Sequence, residues 1–289
     1  MEIGIVSESR DWVTYKLEKV MRDLNITPVY IKPSRISTYT GMDIKFEYRG
    51  KDILQLDALF LRDLGDTANY YSYDVLKFIE HYIPVINPTE VLENCGNKFK
   101  TSVLLDINKV PHPRTLITGD IDKAIEWIEE VGECVLKPIF GNGGEGLYRL
   151  KNRSPNTLNL LREYRKRYNV LYLQEFIDTP GEEYRDIRVF VVGEEVVAGM
   201  YRISNNWITN IHQSGRAEQC EITPEIENIG LKAKKALGIL YGGIDIIEDR
   251  EGNLQVLEVN GAPSWKALSK VSQIDITRRL VEYILEYIS

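Results

Sequence analysis

The sequence predicts an α/β protein that opens on an open, doubly covered sheet and continues into further α+β structure. Three observations carry that expectation. Ile3–Val6, Trp12–Leu24 and Thr27–Ile31 read in order as strand, helix and strand. Strands and helices then keep alternating to Phe176, after which the chain turns strand-rich from Asp186. Finally, 289 residues are enough for two or three subdomains.

The elements follow one by one. The first helix is marked by apolar residues at Trp12, Tyr15, Leu17, Val20, Met21 and Leu24, a spacing of three to four. Asp57–Leu61 is a strand, Tyr70–His81 a helix, and Pro84–Pro88 a short strand held between two prolines. The first domain closes near Asn94. Lys98–Lys109 is helical until Pro111-His112-Pro113 breaks it, and Asp120–Val131 is the next helix. Glu133–Pro138 is a strand that enters a glycine-rich loop, and Leu147–Leu150 leaves that loop as a strand. Thr157–Arg167 is a helix and Val170–Phe176 a strand. Ile187–Val192 and Glu195–Tyr201 form the strand-rich stretch, and Thr223–Leu237 and Ile276–Ile288 are helices.

Bulk properties narrow the function. A formal charge of −7 argues against a broad nucleic-acid surface. No apolar run approaches the ~20 residues of a membrane span. Met1–Val6 reads as the start of a strand, not a signal peptide. Cys95, Cys134 and Cys220 form neither a CxxC pair nor a disulfide framework, which suits a reducing cytoplasm. His81, His112 and His212 are too scattered for a zinc site.

The most informative stretch lies near the C-terminus. Gly242–Ile247 and Leu254–Asn260 read as neighbouring antiparallel strands joined through Gly252-Asn253. Glu258 and Asn260 are two apart and face one side, where Asp245 can join them. Two carboxylates and an amide oxygen among apolar residues suit an oxygen-seeking cation such as Mg²⁺, which commonly accompanies phosphates. The competing reading is a structural acidic pair bonded to turns. Upstream, Cys134–Pro138 runs into Gly141-Asn142-Gly143-Gly144-Glu145-Gly146. Four glycines in six residues free the backbone N–H groups to approach an anion, with Lys137 at the loop's mouth. The spacing is neither a P-loop nor a dinucleotide fingerprint. A β-hairpin closing over a triphosphate fits, and so does a plain glycine-rich turn. Lys98 starts a helix; alone it reads as a surface lysine. Gln174-Glu175-Phe176-Ile177 ends a strand, either as an interlobe hinge that reads an adenine edge or as a strand simply leaving the core. Asp186 and Arg188 share a face, with Arg202 on the next strand. They are either charge-neutralising groups beside a metal or a solvated ion pair. Asn210 is a further polar acceptor, whereas His212 carries no proton-transfer role.

Taken together, Asn97-Lys98, Leu136-Lys137-Pro138, Gly141–Gly146, Gln174–Ile177, Asp186-Ile187-Arg188, Asn210, Gly243-Ile244-Asp245 and Glu258-Val259-Asn260 resemble the ATP-grasp superfamily, and within it the RimK-type α-L-glutamate ligases. The match runs from about Asn94 to Ile288. It implies an N-terminal α/β domain (1–94), a central lid subdomain (95–178) and a C-terminal subdomain (179–289), with ATP clamped between two lobes. It further implies that Lys98, Lys137, Gly141, Gly143, Gly144 and Gly146 hold phosphates, that Glu175, Phe176 and Ile177 hold adenine, and that Glu183 or a neighbour holds ribose. Asp186 would belong to the nucleotide site. Asp245, Glu258 and Asn260 would bind two Mg²⁺ (or Mn²⁺), and Arg188, Arg202 and Asn210 would line the phosphoryl-transfer site.

The implied reaction joins L-glutamate to a small carboxylate-bearing acceptor through an acyl phosphate, with the glycine loop closing as a lid. Gly261-Ala262-Pro263-Ser264-Trp265 departs from the Asn-Ala-Ser-Pro-Gly pattern of the ribosomal-protein modifier and looks more like archaeal members acting on pterin or deazaflavin coenzymes. There Trp265 would stack on a flat ring or a ligand tail. Ile208 replaces an arginine of that modifier, so that contact is either lost or supplied by Arg216. The alternatives are modification of a protein C-terminus or carrier protein, and a nucleotide-binding module without catalysis; intact Lys137, Asp245, Glu258 and Asn260 weigh against the latter. Acceptor specificity is expected around Arg10-Asp11-Trp12 and Arg62-Asp63-Leu64-Gly65-Asp66. The resemblance also brings homo-oligomers, common in the family, and no nucleic-acid or membrane partner.

Overall fold

The computed structural model describes residues 1–41, 43–64, 70–141, 145–151, 154–210 and 215–289. It begins with β1 (Glu2–Ser7), α1 (Trp12–Asp23) and β2 (Thr27–Ile31), then β3 (Ser37–Tyr39), β4 (Lys45–Tyr48), β5 (Lys51–Asp52), β6 (Ala58–Asp63), α2 (Tyr70–Ile79) and β7 (Val85–Ile86). The first sheet has the order β2-β1-β6-β7 and is parallel throughout, as the opening strand-helix-strand pattern anticipates. Helix α1 starts where Asp11 and Thr14 cap each other reciprocally, which satisfies two otherwise orphaned N–H groups. Strands β3, β4 and β5 form a small antiparallel sheet that the sequence reading does not contain. Their alternation is short and carries Lys45 and Glu47 on one side, while Phe46 and Tyr48 are buried on the other.

The middle of the chain holds α3 (Thr89–Gly96), α4 (Lys98–Ile107), β8 (Thr115–Thr118), α5 (Ile121–Val131), β9 (Cys134–Lys137), β10 (Tyr148–Leu150), α6 (Pro155–Tyr168) and β11 (Leu171–Glu175). Its antiparallel sheet has the order β10-β9-β11-β8, with α5 and α6 packed on it through Ile125, Ile128, Leu161 and Tyr164. Helix α3, unforeseen between Pro88 and Asn97, contains Asn94, so the residue chosen to close the first domain lies within a helix.

The last part holds β12 (Tyr184–Val192), β13 (Glu195–Ser204), β14 (Arg216–Gln219), α7 (Pro224–Leu237), β15 (Tyr241–Glu248), β16 (Leu254–Asn260), α8 (Leu268–Val271) and α9 (Ile276–Ile288). Its sheet has the order β14-β13-β12-β15-β16 and is antiparallel. One face buries Ile187, Val189 and Ile244 against α7 and the α3–α4 pair. The other face carries Phe190, Val192 and Tyr241 into a core shared with Ile3, Ile5 and Phe60 of the first sheet, closed by α1 and α9.

Buried polar bonds tie the first and third sheets together. Asn87 donates from Nδ2 to Tyr241 O (2.8 Å) and Gly261 O (2.6 Å), and its Oδ1 accepts from Leu240 N (2.7 Å). Such groups are costly if left unpaired, so they fix one docking geometry. Cys95, Cys134 and Cys220 are free, buried thiols. Among the described residues no helix is long and apolar enough to cross a membrane.

Candidate active site

The site is built on the polar end of the third sheet. Pairing sets Asp186 opposite Arg202 across β12 and β13, and Arg188 opposite Asp245 across β12 and β15. Arg202 donates through Nε and Nη2 to the two oxygens of Asp186 (2.6 and 2.5 Å), and its Nη2 also lies 2.8 Å from Asp245 Oδ2. Arg188 grips both oxygens of Asp245, and Thr209 Oγ1 donates to Asp186 Oδ2 (2.7 Å). Burial opposes ionisation of Asp245, yet Arg188 and Arg202 overcome it and hold the carboxyl below its usual range. Burial likewise opposes the charge on Arg202, and Asp186 and Asp245 more than restore it. Asp245 and Arg202 are therefore both charged at neutral pH.

A bulge between Asp245 and Ile246 sets Asp245 opposite Glu258 and Ile246 opposite Val256. Leu257 is the extra residue, and both Leu257 and Glu258 line the cleft. Asn260 lies opposite Gly243, where a Cβ would meet Arg188 Nη1 at 2.8 Å and Pro263 Cβ at 3.2 Å. The strand positions of Asp245, Glu258 and Asn260 thus share one face. Their oxygens are all hard donors. No group of three His, Cys, Asp or Glu suited to a metal occurs among the described residues, so the amide is needed to complete a third donor. The donor types suit a hard divalent cation, but Arg188 and Arg202 hold both oxygens of Asp245 and Ala262 N holds Asn260 Oδ1, so a cation here would have to displace them.

Across the cleft stand the two lysines. Asn97 caps α4 through its Oδ1 and sets Lys98 at the first helical position, from which Nζ donates to Gly141 O (3.0 Å) and lies 3.7 Å from Glu258 Oε1. Lys137, at the end of β9, donates to Gln174 Oε1 (2.5 Å) on β11. Gly141 and Glu145 bring the glycine-loop ends to the cleft. Its other end is apolar, walled by Phe176, Ile177, Trp207 and Ile208, with Glu175 beside them. Arg149 stacks on Phe176, its Cζ 3.7 Å from the ring centroid, and donates to Tyr184 Oη (3.0 Å). One end of the cleft is thus flat and apolar, and the other gathers two ammonium groups, a guanidinium and two carboxylates. That polarity suits a nucleotide.

Comparison with known proteins decides the family. Residues 95–284 match the RimK-like ATP-grasp domain. The chain belongs to the RimK-like ATP-grasp family. Along its whole length it is 46% identical to the tetrahydromethanopterin:alpha-L-glutamate ligase of Methanococcus maripaludis, over 289 aligned residues and 99% of both chains. It is 47% identical to the ligase of the same name from Methanocaldococcus jannaschii, over 291 aligned residues, 100% of this chain and 99% of that one. Among solved structures, the ATP-grasp ligase PsnB complexed with minimal precursor, Mg and ADP has the same fold, with a TM-score of 0.75 at 22% identity, covering 99% of this chain and 98% of that one. As a RimK-like ATP-grasp protein the chain is an ATP-dependent ligase forming C–N bonds.

Within this ATP-grasp chain the anticipated residues fall into three groups. Lys98, Lys137, Gly141, Glu175, Phe176, Ile177, Asp186, Arg202, Asn210, Asp245 and Glu258 all line the cleft. Others stand off it. Arg188 bonds Asp245 from the neighbouring strand. Asn260 lines an adjoining pocket, its Oδ1 accepting from Ala262 N (3.0 Å). Glu183 is held by Arg216 in a bidentate exposed pair (2.6 and 2.8 Å). Gly146 sits in the turn, with φ +69° and its carbonyl accepting from Tyr164 Oη. Gly143, Gly144, Gly65, Asp66 and His212 lie outside the described residues.

Two roles change with the geometry. Asp186 has both oxygens engaged by Arg202, so its contact with the cleft is that of a support for the arginine. Trp265 does not stack on a ligand: it is fully buried, donates to Thr277 Oγ1 (2.9 Å) and packs edge-on to Phe190. Sequence reading missed Arg149 and the pairing of Gln174 with Lys137. Both contacts arise from strand neighbours distant in sequence, and no local pattern marks them.

Lys137 gives the site a pH signature. Burial, followed by repulsion from Lys98, lowers its pKa to about 8, against the opposing pull of Glu258 and Asp245. A triphosphate at this end would favour the charged form, so its binding should take up a proton once Lys137 is neutral. Nucleotide affinity should therefore be flat below pH 8 and fall, by at most about tenfold per pH unit, as pH rises through that value. Calorimetric titration of ATP in buffers of differing ionisation enthalpy measures this uptake; Lys137→Met should abolish it. An uptake that persists in the variant would assign the proton elsewhere.

Proposed function

We propose that this chain is an ATP- and Mg²⁺-dependent α-L-glutamate ligase whose acceptor is a small pterin-type coenzyme carboxylate. The observation that carries the reading is the cleft itself, with an apolar slot at Phe176 and Ile177 and a phosphate-sized cluster of opposite charges at Lys98, Lys137, Arg202, Asp245 and Glu258. Full-length similarity to two ligases named for tetrahydromethanopterin and α-L-glutamate supports the choice of substrates.

In this reading Phe176 and Ile177 flank adenine, and Lys98 and Lys137 hold phosphate oxygens. Asp245, Glu258 and Asn260 would hold divalent cations, whose charge would screen the triphosphate. Arg202 is buried against Asp186 and Asp245, so its guanidinium is already oriented when charge develops on the transferring phosphoryl group. An oxygen of the acceptor carboxylate attacks the γ-phosphorus and the bond to ADP breaks, leaving an acyl phosphate. The glutamate amine, as the free base, then attacks the acyl carbon. The carbon–oxygen bond to phosphate breaks, the nitrogen loses a proton, and an amide and inorganic phosphate leave. Closure by the glycine loop keeps water from the acyl phosphate.

The test is incubation with ATP, Mg²⁺, L-glutamate and tetrahydromethanopterin, followed by ADP release and mass spectrometry. The expected product is the coenzyme heavier by one glutamyl unit, formed only when all components are present. ADP release without glutamate dependence, or label appearing on a macromolecule instead, would overturn this assignment. Mn²⁺ should replace Mg²⁺, since both accept the same oxygen donors.

A further inference from the structure

We infer that Arg62 receives a substrate carboxylate in a second pocket that adjoins the phosphate end of the nucleotide cleft, an inference that rests on the ligase reading above. Glu258 is a wall of both spaces. The second is bounded by Arg62, Asp63 and Leu64 at the end of β6, by Leu92 and Cys95 of α3, and by the turn after Asn260. The apolar end of the nucleotide cleft lies away at Phe176 and Ile177, so this pocket meets the cleft where phosphoryl transfer takes place. A ligase must bring two further molecules to that point, and both bear carboxylates.

Arg62 is an unusual lining residue. Its side chain is only 6% exposed. Nη1 donates to Pro263 O (2.7 Å), but the nearest carboxylate oxygen, on the half-exposed Asp11, stands 3.8 Å from Nη2, beyond hydrogen-bond reach. Nε, itself buried, has no hydrogen-bond partner among the described residues. Arg202 is the internal contrast: equally buried, it touches two carboxylates at 2.5 to 2.8 Å. Among the described residues, a guanidinium with five donors and a full charge is thus held in a pocket wall by one carbonyl and the hydroxyl of Tyr241, with no carboxylate at bonding distance. Burying a cation so weakly compensated is expensive, and a planar carboxylate matches its fork. The face of Trp265 lies behind it, with Cζ 5.4 Å from the ring centroid, which keeps the guanidinium in place without neutralising it.

The carboxylate has two sources, L-glutamate and the acceptor, and the experiment separates them. The KM values for L-glutamate, tetrahydromethanopterin and ATP are measured for the wild type, Arg62→Lys and Arg62→Gln. Arg62→Gln should raise the KM of one carboxylate substrate by about 30- to 100-fold, as the loss of a charge-assisted contact predicts. Arg62→Lys should raise it by about tenfold, because an ammonium keeps the charge and loses the fork. The KM for ATP should stay within about twofold. Whichever carboxylate substrate responds is the one held.

Thr277→Val is the control, since it loosens the same interface by removing the bond from Trp265 and leaves the indole ring behind the guanidinium. Should Arg62→Gln fail to fold, Arg62→Lys and this control still decide. Unchanged KM values with a lowered melting temperature would make Arg62 a strut for Pro263 and overturn the inference. So would a Thr277→Val variant that reproduces the KM rise. A wild type without glutamate-dependent turnover would instead sink the ligase reading. In that case calorimetric titration with L-glutamate and, separately, with tetrahydromethanopterin settles Arg62: binding of either that is lost in Arg62→Gln sustains its role, and equal or absent binding of both refutes it.

Discussion

Glu258→Gln should lower turnover by about a thousandfold or more while leaving the fold intact, a loss of about 4 kcal/mol in transition-state stabilisation. The side chain of Glu258 is 36% exposed, and its nearest cation, Lys98 Nζ, is 3.7 Å away. Neutralising such a group should change stability by no more than about 0.5 kcal/mol. What disappears is the anionic oxygen donor standing where the two pockets meet. The change should also depress the pKa of Lys137 further below about 8, because Glu258 is one of the charges supporting the ammonium. The decline of ATP affinity with pH should then begin at lower pH than in the wild type. Turnover, thermal melting and Mn²⁺ binding followed by electron paramagnetic resonance check the three parts together. A turnover within about threefold of wild type would remove Glu258 from the chemistry.

How much of this was legible in the sequence depended on distance along the chain. Strands β15 and β16 were readable because their apolar alternation brackets Gly252-Asn253, and Glu258 and Asn260 fall on one face by simple parity. The bulge beside Asp245 was not readable, since an extra residue in a strand leaves no mark in alternation until its partner is known. Asp186, Arg188 and Arg202 were recognised as a charged face, but not the order of their pairing. That order depends on the register of three strands, which sets Arg202 between two carboxylates and Arg188 outside them. Trp265 was misread for a related reason. A tryptophan beside a functional loop looks the same in sequence whether it faces ligand or core, and only the packing of Phe190 and Thr277 decides. The small sheet at β3–β5 escaped because strands of two to four residues give periodicity too little length.

The charged face makes its second large prediction through stability. Arg202→Gln should destabilise the protein by about 3–5 kcal/mol at neutral pH, the cost of leaving buried carboxylates without their cation. Among the described residues Asp186 would keep the hydroxyl of Thr209, whereas Asp245 would still have Arg188. Asp186 should therefore suffer most. The sign with pH follows from linkage. In the wild type, Asp245 has a lowered pKa, so the stability it contributes is present above its unfolded value and lost as pH falls. In the variant Asp245 loses Arg202, one of the two cations that lower its pKa, so it has less stability left to lose on acidification. The gap between variant and wild type should therefore narrow as pH falls. Denaturant melts at neutral and mildly acidic pH measure both the size and this convergence. Asp186→Asn combined with Arg202→Gln should recover part of the loss at neutral pH, because an amide replaces the stranded charge, yet should not recover turnover, because no guanidinium faces the phosphates. A loss below about 1 kcal/mol in Arg202→Gln, or one that grows on acidification, would mean that the two carboxylates find compensation elsewhere and that the arginine is held for chemistry alone.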